Sequence, residues 1–183
     1  MSDLSLIMQA ADFAARRHAG QRRKGVAAEP YVNHLLEVAA LLAESTGGSD
    51  AALIAAALLH DTLEDTETEY EELLARFGFD IAALVAAVTD DKSLPKAERK
   101  RRQIENAPNA APRAKLLKIA DKTSNVRALA VSPPSNWDPA RVADYIDWAE
   151  KVVAGCRGLN AMLERAFDAA VTDARAAIAK SAA

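Results

Sequence analysis

Residues His60-Asp61-Thr62-Leu63-Glu64-Asp65 put one imidazole and three carboxylates directly behind a nine-residue apolar run, Ala51–Leu59. On a continuous helix advancing about 100° per residue, positions 60, 61, 64 and 65 fall within an arc of roughly 140°, so all four groups converge. Like charges gathered against a buried helix are costly unless a cation or bound protons neutralise them. The alternative is a solvated acidic helix end. His34 and Asp121 supply what the first reading needs. His34 opens a helix with Val38 one turn on, and Asp121 follows an apolar pair with Asn125 on its own face. His34, His60, Asp61 and Asp121 together offer two nitrogen and two carboxylate donors, a set suited to manganese, with iron or zinc as alternatives and magnesium disfavoured by the imidazoles. The chain has only three histidines, counting His18, so sites drawing four or more imidazoles are excluded. Glu64 and Asp65, one turn beyond the His-Asp pair, remain as proton-transfer groups, the equipment of metal-assisted hydrolysis.

Positive charge collects nearby. The loop Gly20-Gln21-Arg22-Arg23-Lys24-Gly25 lies just ahead of His34, and Lys118, Lys122 and Arg127 flank Asp121 and Asn125. Guanidinium and ammonium groups hold phosphate oxygens, and an Arg plane stacks on a base, so an anionic substrate is expected. A second basic run, Lys96–Arg102, spreads its charge around its helix and reads as solvated surface. Almost no aromatic residues interleave with it to stack RNA bases. Cys156, with no histidine close by, reads as a small buried filler.

Helices must position these groups. Apolar periodicity near 3.6 recurs along the chain, interrupted at 20–30, 46–50, 77–79, 92–95, 106–112 and 131–138. The expected helices are one capped by Asp3 and running to about Ala19, Val32–Glu44, one capped by Asp50, and a short Glu69–Arg76. They continue with Asp80–Val88, Lys96–Glu105, Arg113–Ala130 and Pro139–Ala179, the last broken near Gly155 or Gly158. Asp138-Pro139 is a cap followed by a proline suited to the first helical position. The final residues, 176–183, carry too few large apolar side chains to be held firmly.

With 183 residues, 50% apolar but alanine-rich, 5% aromatic, and seven each of Gly and Pro, the composition favours a single domain of packed helices. A net charge of −3 gives no general attraction to nucleic acid or membranes. No apolar run spans a bilayer, no signal peptide is evident, and one cysteine forms no internal disulfide, so a cytoplasmic protein is expected.

The ordered stretches His18–Lys24, Pro30–His34, Leu58–Thr66, Thr89–Lys92 and Lys118–Arg127 resemble the HD-domain hydrolases of the RelA/SpoT class, most of all the small stand-alone alarmone hydrolases of the metazoan SpoT homologue type. The likeness covers about residues 10–150. It implies an all-α HD-domain helical bundle and manganese-dependent removal of the 3′-pyrophosphate of ppGpp or pppGpp. By the same match His34, His60, Asp61 and Asp121 would bind the metal, Glu64 and Asp65 would handle the water, and Arg23 and Lys24 would sit beside guanine and phosphates. Asn125 and Tyr145 match positions lining the nucleotide pocket, with Lys122 beside them; His18 matches without an assignable role beyond structural support. Two features depart from the pattern: Gly25, where an acid often stands, which would loosen base recognition, and the individual segment Val131–Trp137. The length leaves no room for synthetase or regulatory domains, so hydrolysis without synthesis is expected. A different nucleotide phosphatase, such as one acting on NADPH, and a silent nucleotide-binding protein remain the alternatives.

Overall fold

Nine α-helices make up the computed structural model, which describes residues 2–181. They are α1 (Asp3–Arg17), α2 (Val32–Thr46), α3 (Ala51–Leu59), α4 (Thr62–Asp65), α5 (Tyr70–Val88), α6 (Lys96–Asn106), α7 (Pro112–Val131), α8 (Pro139–Ala154) and α9 (Ala161–Ser181). A 3₁₀ turn at Ala107–Asn109 joins α6 to α7, and the only bridge of β type among the described residues pairs Arg22 with Pro30.

The central element is α3. It is apolar on every side, and eight of its nine residues are buried; such a helix is stable only when wrapped by others. It packs against α1, α2, α5 and α7, while α9 lies along α7 and closes the far side. Leu35, Val38 and Leu42 of α2 recur at helical spacing and are all fully buried, as are Leu117 and Ile119 of α7 and Phe167 of α9. One continuous core results.

Local chemistry sets most helix ends. Asp50 accepts from the Leu53 N–H at 2.9 Å and Asp138 from the Arg141 N–H at 2.7 Å, both as expected. At the first helix the cap is Ser2, whose hydroxyl accepts from the Ser5 N–H, and Asp3 is already in the first turn, where its charge favours the helix dipole. The helices expected at 69–76 and 80–88 form one element, α5, bent at Gly78, whose φ of 82° only glycine adopts without strain. The C-terminal segment does break at Gly155–Asn160, where Asn160 caps α9 by accepting from the Met162 and Leu163 N–H groups. Beyond Ala176, where weak anchoring is expected, α9 continues to Ser181 with Ile178 against the core; Ala182 and Ala183 lie outside the described residues.

The most consequential difference concerns 60–65. The expected continuous helix ends at Leu59; His60 and Asp61 (φ −96°, ψ −1°) form a turn, and α4 begins at Thr62. Thr62 is fully buried and its hydroxyl donates to the Leu59 carbonyl at 2.6 Å, which stabilises the turn from inside. The His-Asp pair and the Glu-Asp pair therefore sit on different elements.

Candidate metal centre and nucleotide cavity

His34 comes from the first turn of α2, His60 and Asp61 from the α3–α4 turn, and Asp121 from the middle of α7. Their side chains meet. His34 Nε2 is 3.6 Å from Asp61 Oδ2 and 3.3 Å from Asp121 Oδ1; His60 Nε2 is 3.2 Å and 3.7 Å from the same two atoms. Donor atoms of His34, His60 and Asp121 all lie within 4.8 Å of one another. Donors at about 2.1 Å from one ion in adjacent octahedral positions stand about 3.0 Å apart, so this ring is close to the size a cation needs.

The hydrogen bonds behind the ring decide which nitrogens face it. His60 Nδ1 lies 2.7 Å from the Ala57 carbonyl, which only accepts, so Nδ1 carries the proton and Nε2 presents a lone pair. That Nε2 is buried without a hydrogen-bond partner. On His34, Nδ1 lies 2.8 Å from Ser124 Oγ, and the Ser124 hydroxyl donates to Glu37 Oε2 at 2.6 Å. With its own proton given to Glu37, Ser124 accepts from Nδ1, and His34 also turns a bare Nε2 inward. Backing groups of this kind orient imidazole ligands and raise their basicity.

Electrostatics ask for the same occupant. Burial works against charge on Asp61, but His60 and His34 outweigh it and hold its carboxyl well below the usual range; for Asp121, Lys122 and the same two imidazoles do so. Burial likewise opposes charge on His60, and the two carboxylates push it well above the ordinary imidazole value, so Nε2 takes up a proton where no cation competes for its lone pair. The pocket thus demands positive charge between two half-buried carboxylates. Two aligned imidazole lone pairs and two carboxylates are a donor set that fits a divalent cation.

The predicted catalytic acids separate. Glu64 accepts the Asp90 backbone N–H at 3.2 Å and lies 3.5 Å from Arg99. Burial raises its pKa, the Asp90 N–H opposes that, and the neighbouring charges of Asp90, Asp61 and Asp65 add to it. Asp65 instead pairs with Lys92 at 2.5 Å. Both line the small, strongly polar cavity of about 260 Å³ that contains His60, Asp61 and Asp121.

The remaining expected residues border the same space. Lys122 Nζ is 2.6 Å from Asp121 Oδ2, and Asn125 donates to Asp121 Oδ1 at 2.6 Å while accepting from Arg23 at 3.2 Å. Lys24 and Tyr145 line both this cavity and a larger one of about 1300 Å³, which also takes in Arg23 and His34. Burial pushes the Tyr145 phenol up to about 12, so it keeps its proton at neutral pH. Lys118 is on the small cavity, and Arg127 is on the larger one with Asn125 while pairing with Glu37 at 3.1 Å.

Several participants escape a reading of the sequence. Tyr31 donates to Asp61 Oδ2 at 2.7 Å, and Glu37 anchors Ser124; each stands three residues from His34, a helical spacing that hinted at a shared face. His18 is buried, stacks on Tyr31 with centroids 5.1 Å apart, and bonds Gln21 at 2.7 Å, which donates to the Asp65 carbonyl. Its structural support is thus directed at the residues around Asp61 and Asp65. At Gly25, the departure expected to loosen base recognition, the loop lies close against the 131–137 segment. A Cβ there would meet the Ser132 carbonyl oxygen at 2.1 Å, and Val26 and Ala27 donate to Pro133 O and Ser132 Oγ. The individual segment 131–137 is what this close approach serves. Cys156 is buried, as expected.

No helix of the described residues is long and apolar enough to cross a membrane. Among known proteins, the family described as "HD domain" matches residues 10–150. The chain is 50% identical over 167 residues to the guanosine-3′,5′-bis(diphosphate) 3′-pyrophosphohydrolase MESH1 of Xenopus tropicalis, covering 91% of this chain and 93% of that one. It is 48% identical over 166 residues to the human protein of the same name, with the same coverage. A solved structure, described as "a metazoan ortholog of SpoT hydrolyzes ppGpp and plays a role in starvation responses", superposes with a TM-score of 0.87 at 46% identity, covering 90% of this chain and 93% of that one.

Proposed function

The chain belongs to the HD-domain family, and from that premise we propose that it hydrolyses the 3′-pyrophosphate of ppGpp and pppGpp, yielding GDP or GTP and pyrophosphate. The observation that carries this reading is the ring of two bare Nε2 atoms and two carboxylates beside a small cavity that shares Lys24, Asn125 and Tyr145 with the larger one. Relatives that share 48–50% of its residues over nine-tenths of the chain are named for this reaction.

In this reading His34, His60, Asp61 and Asp121 hold one divalent ion, with Mn²⁺ favoured by the mixed nitrogen and oxygen donors. The ion would supply Lewis-acid polarisation of the phosphoryl oxygens and lower the pKa of water. Glu64 takes the proton of the attacking water on a carboxylate oxygen; its raised pKa brings it nearer to the operating pH, as a general base requires. Asp65, fixed by Lys92 and by Gln21 on its carbonyl, orients that water.

Lys122 offers its ammonium group beside Asp121, where negative charge develops on the phosphoryl oxygens. Asn125 ties Arg23 to the same carboxylate, so the basic loop is positioned relative to the reacting end. Arg23 and Lys24 bind base and phosphate, and the protonated Tyr145 phenol donates toward the nucleotide.

The test is a product assay on ppGpp with and without manganese. Pyrophosphate and GDP should appear in equal amounts, only with the metal; orthophosphate as the sole phosphorus product would overturn the assigned bond.

A further inference from the structure

Hydrolysis at a ribose 3′-oxygen needs two proton transfers, and the roles assigned above cover one. Glu64 takes a proton from the attacking water; the departing oxygen, a strongly basic alkoxide if it leaves alone, must gain one. Six side chains on the small cavity carry an N–H or O–H able to dissociate: Lys24, Tyr31, His60, Lys118, Lys122 and Tyr145.

Most of these are committed elsewhere. Nε2 of His60 faces the ring of donors, Tyr31 donates to Asp61 Oδ2 at 2.7 Å, and Lys122 Nζ is held at 2.6 Å from Asp121 Oδ2. Burial and then Asp61 raise the Tyr31 phenol far above its ordinary value, and burial pushes Tyr145 up to about 12. For Lys122 burial opposes the charge, but Asp121 outweighs it and raises the pKa. Lys24 reaches into the larger cavity as well.

Lys118 remains. It stands on α7 three residues before Asp121 and four before Lys122, a spacing that brings its ammonium group to their face and to the same cavity. The residue is half-buried and has no ion-pair or hydrogen-bond partner for its side chain among the described residues. The charged and titratable groups that face it are Lys122 and Asp121 on its own helix, Asp90 from the segment after α5, and Cys156 beyond the end of α8. Burial and then Lys122 lower its pKa, against the smaller opposing effects of Asp121, Asp90 and Cys156.

We infer that Lys118 is the general acid of the reaction proposed above, on which this assignment rests, its Nζ donating a proton to the 3′-oxygen as that oxygen parts from phosphorus. The new bond joins the water oxygen to phosphorus. The electron pair of the broken bond stays on the 3′-oxygen and takes the Lys118 proton, so the nucleotide leaves with a 3′-hydroxyl. Glu64 then gives up its proton to solvent, and Lys118 regains one.

The test compares ppGpp with its analogue in which sulfur replaces the bridging 3′-oxygen. A thiolate departs without protonation, because a thiol is a far stronger acid than an alcohol. On ppGpp, Lys118→Ala should lose about 10²–10⁴-fold in kcat, with KM and manganese affinity retained. Lys118→Arg should be equally impaired, since a guanidinium keeps its proton. On the sulfur analogue both variants should be as fast as the wild type. Full activity of Lys118→Ala on ppGpp, recovery in Lys118→Arg, or an equal loss on the two substrates overturns the acid and leaves the reaction standing. A wild type that leaves ppGpp intact overturns both. If the wild type spares the sulfur analogue, Lys118→Arg on ppGpp decides alone; should Lys118→Ala not fold, Lys118→Gln is read by the same criteria.

Discussion

Ser124 Oγ lies 2.8 Å from His34 Nδ1 and passes its own proton to Glu37, so a serine on α7 decides which nitrogen of a histidine on α2 is free to bind. Removing the hydroxyl leaves a buried Nδ1 proton unmatched and the imidazole free to take the other tautomer. Ser124→Ala should fold and should lose about 10–100-fold in metal affinity. A manganese titration followed by calorimetry reads this; unchanged affinity would show that the relay has no part in tuning the ligand.

Metal binding should be visible as stability. A cation that binds only the folded chain, present at a hundred times its Kd, adds about 2.7 kcal/mol. For a domain of this size that is on the order of 5–10 °C in Tm. Chelation should reverse the gain in the wild type, and Asp61→Asn should show little gain at any manganese concentration. A full manganese-induced rise in Asp61→Asn would remove Asp61 from the ligand set.

Glu64 is assigned the proton, and its environment gives a signed pH dependence. Burial favours its neutral form, so its pKa lies above the ordinary value for glutamate. As pH falls through that raised pKa the carboxylate is protonated, the base is lost, and kcat should decline earlier on the acid side than an unperturbed carboxylate would allow. Glu64→Gln should cut kcat by about 10²–10⁴ while metal affinity persists. An acid limb that survives in Glu64→Gln would belong to another group.

The close approach of Gly25 to Ser132 makes a steric prediction. With the Ser132 carbonyl oxygen 2.1 Å from where a Cβ would stand, Gly25→Ala must move one of the two segments. Displacing the loop that carries Arg23 and Lys24 should raise KM by about tenfold, equivalent to about 1.4 kcal/mol of binding, with kcat nearly unchanged. Wild-type KM in this variant would mean that the 131–137 segment does not position the loop.

Anchoring of the last helix can be tested in the core. Phe167 is fully buried where α9 meets the rest of the bundle. Phe167→Ala should cost about 3–5 kcal/mol, read as a lowered urea midpoint; a loss below 1 kcal/mol would show that α9 contributes little to the cooperative unit.

Much of the architecture was legible because it rests on local rules. Asp50 and Asp138 cap where their neighbours are helical and apolar, and the uninterrupted apolarity of Ala51–Leu59 identifies the central helix before any contact is known. The break after Leu59 was not legible, since no glycine or proline marks it; it depends on Thr62 being buried and bonding back to Leu59. The α6 basic run, expected as solvated surface, is divided only by the fold: Glu98 and Glu105 pair with Arg101 and Arg102, while Lys96 and Lys100 line the larger cavity, Lys100 beside Trp148.

The sequence by itself determined which chemistries are available: three histidines rule out sites that draw four or more imidazoles, and the carboxylates beside them and a basic loop offer mixed metal donors and positive charge, because side-chain type sets donor softness and charge. Tertiary structure alone decided how those groups are used. The tautomer of His34 depends on Ser124, ninety residues away, and the different surroundings of Glu64 and Asp65 are set by Asp90, Arg99 and Lys92. Protonation and orientation are properties of a side chain's neighbours in a buried, low-dielectric space, and those neighbours are assembled only when the helices pack.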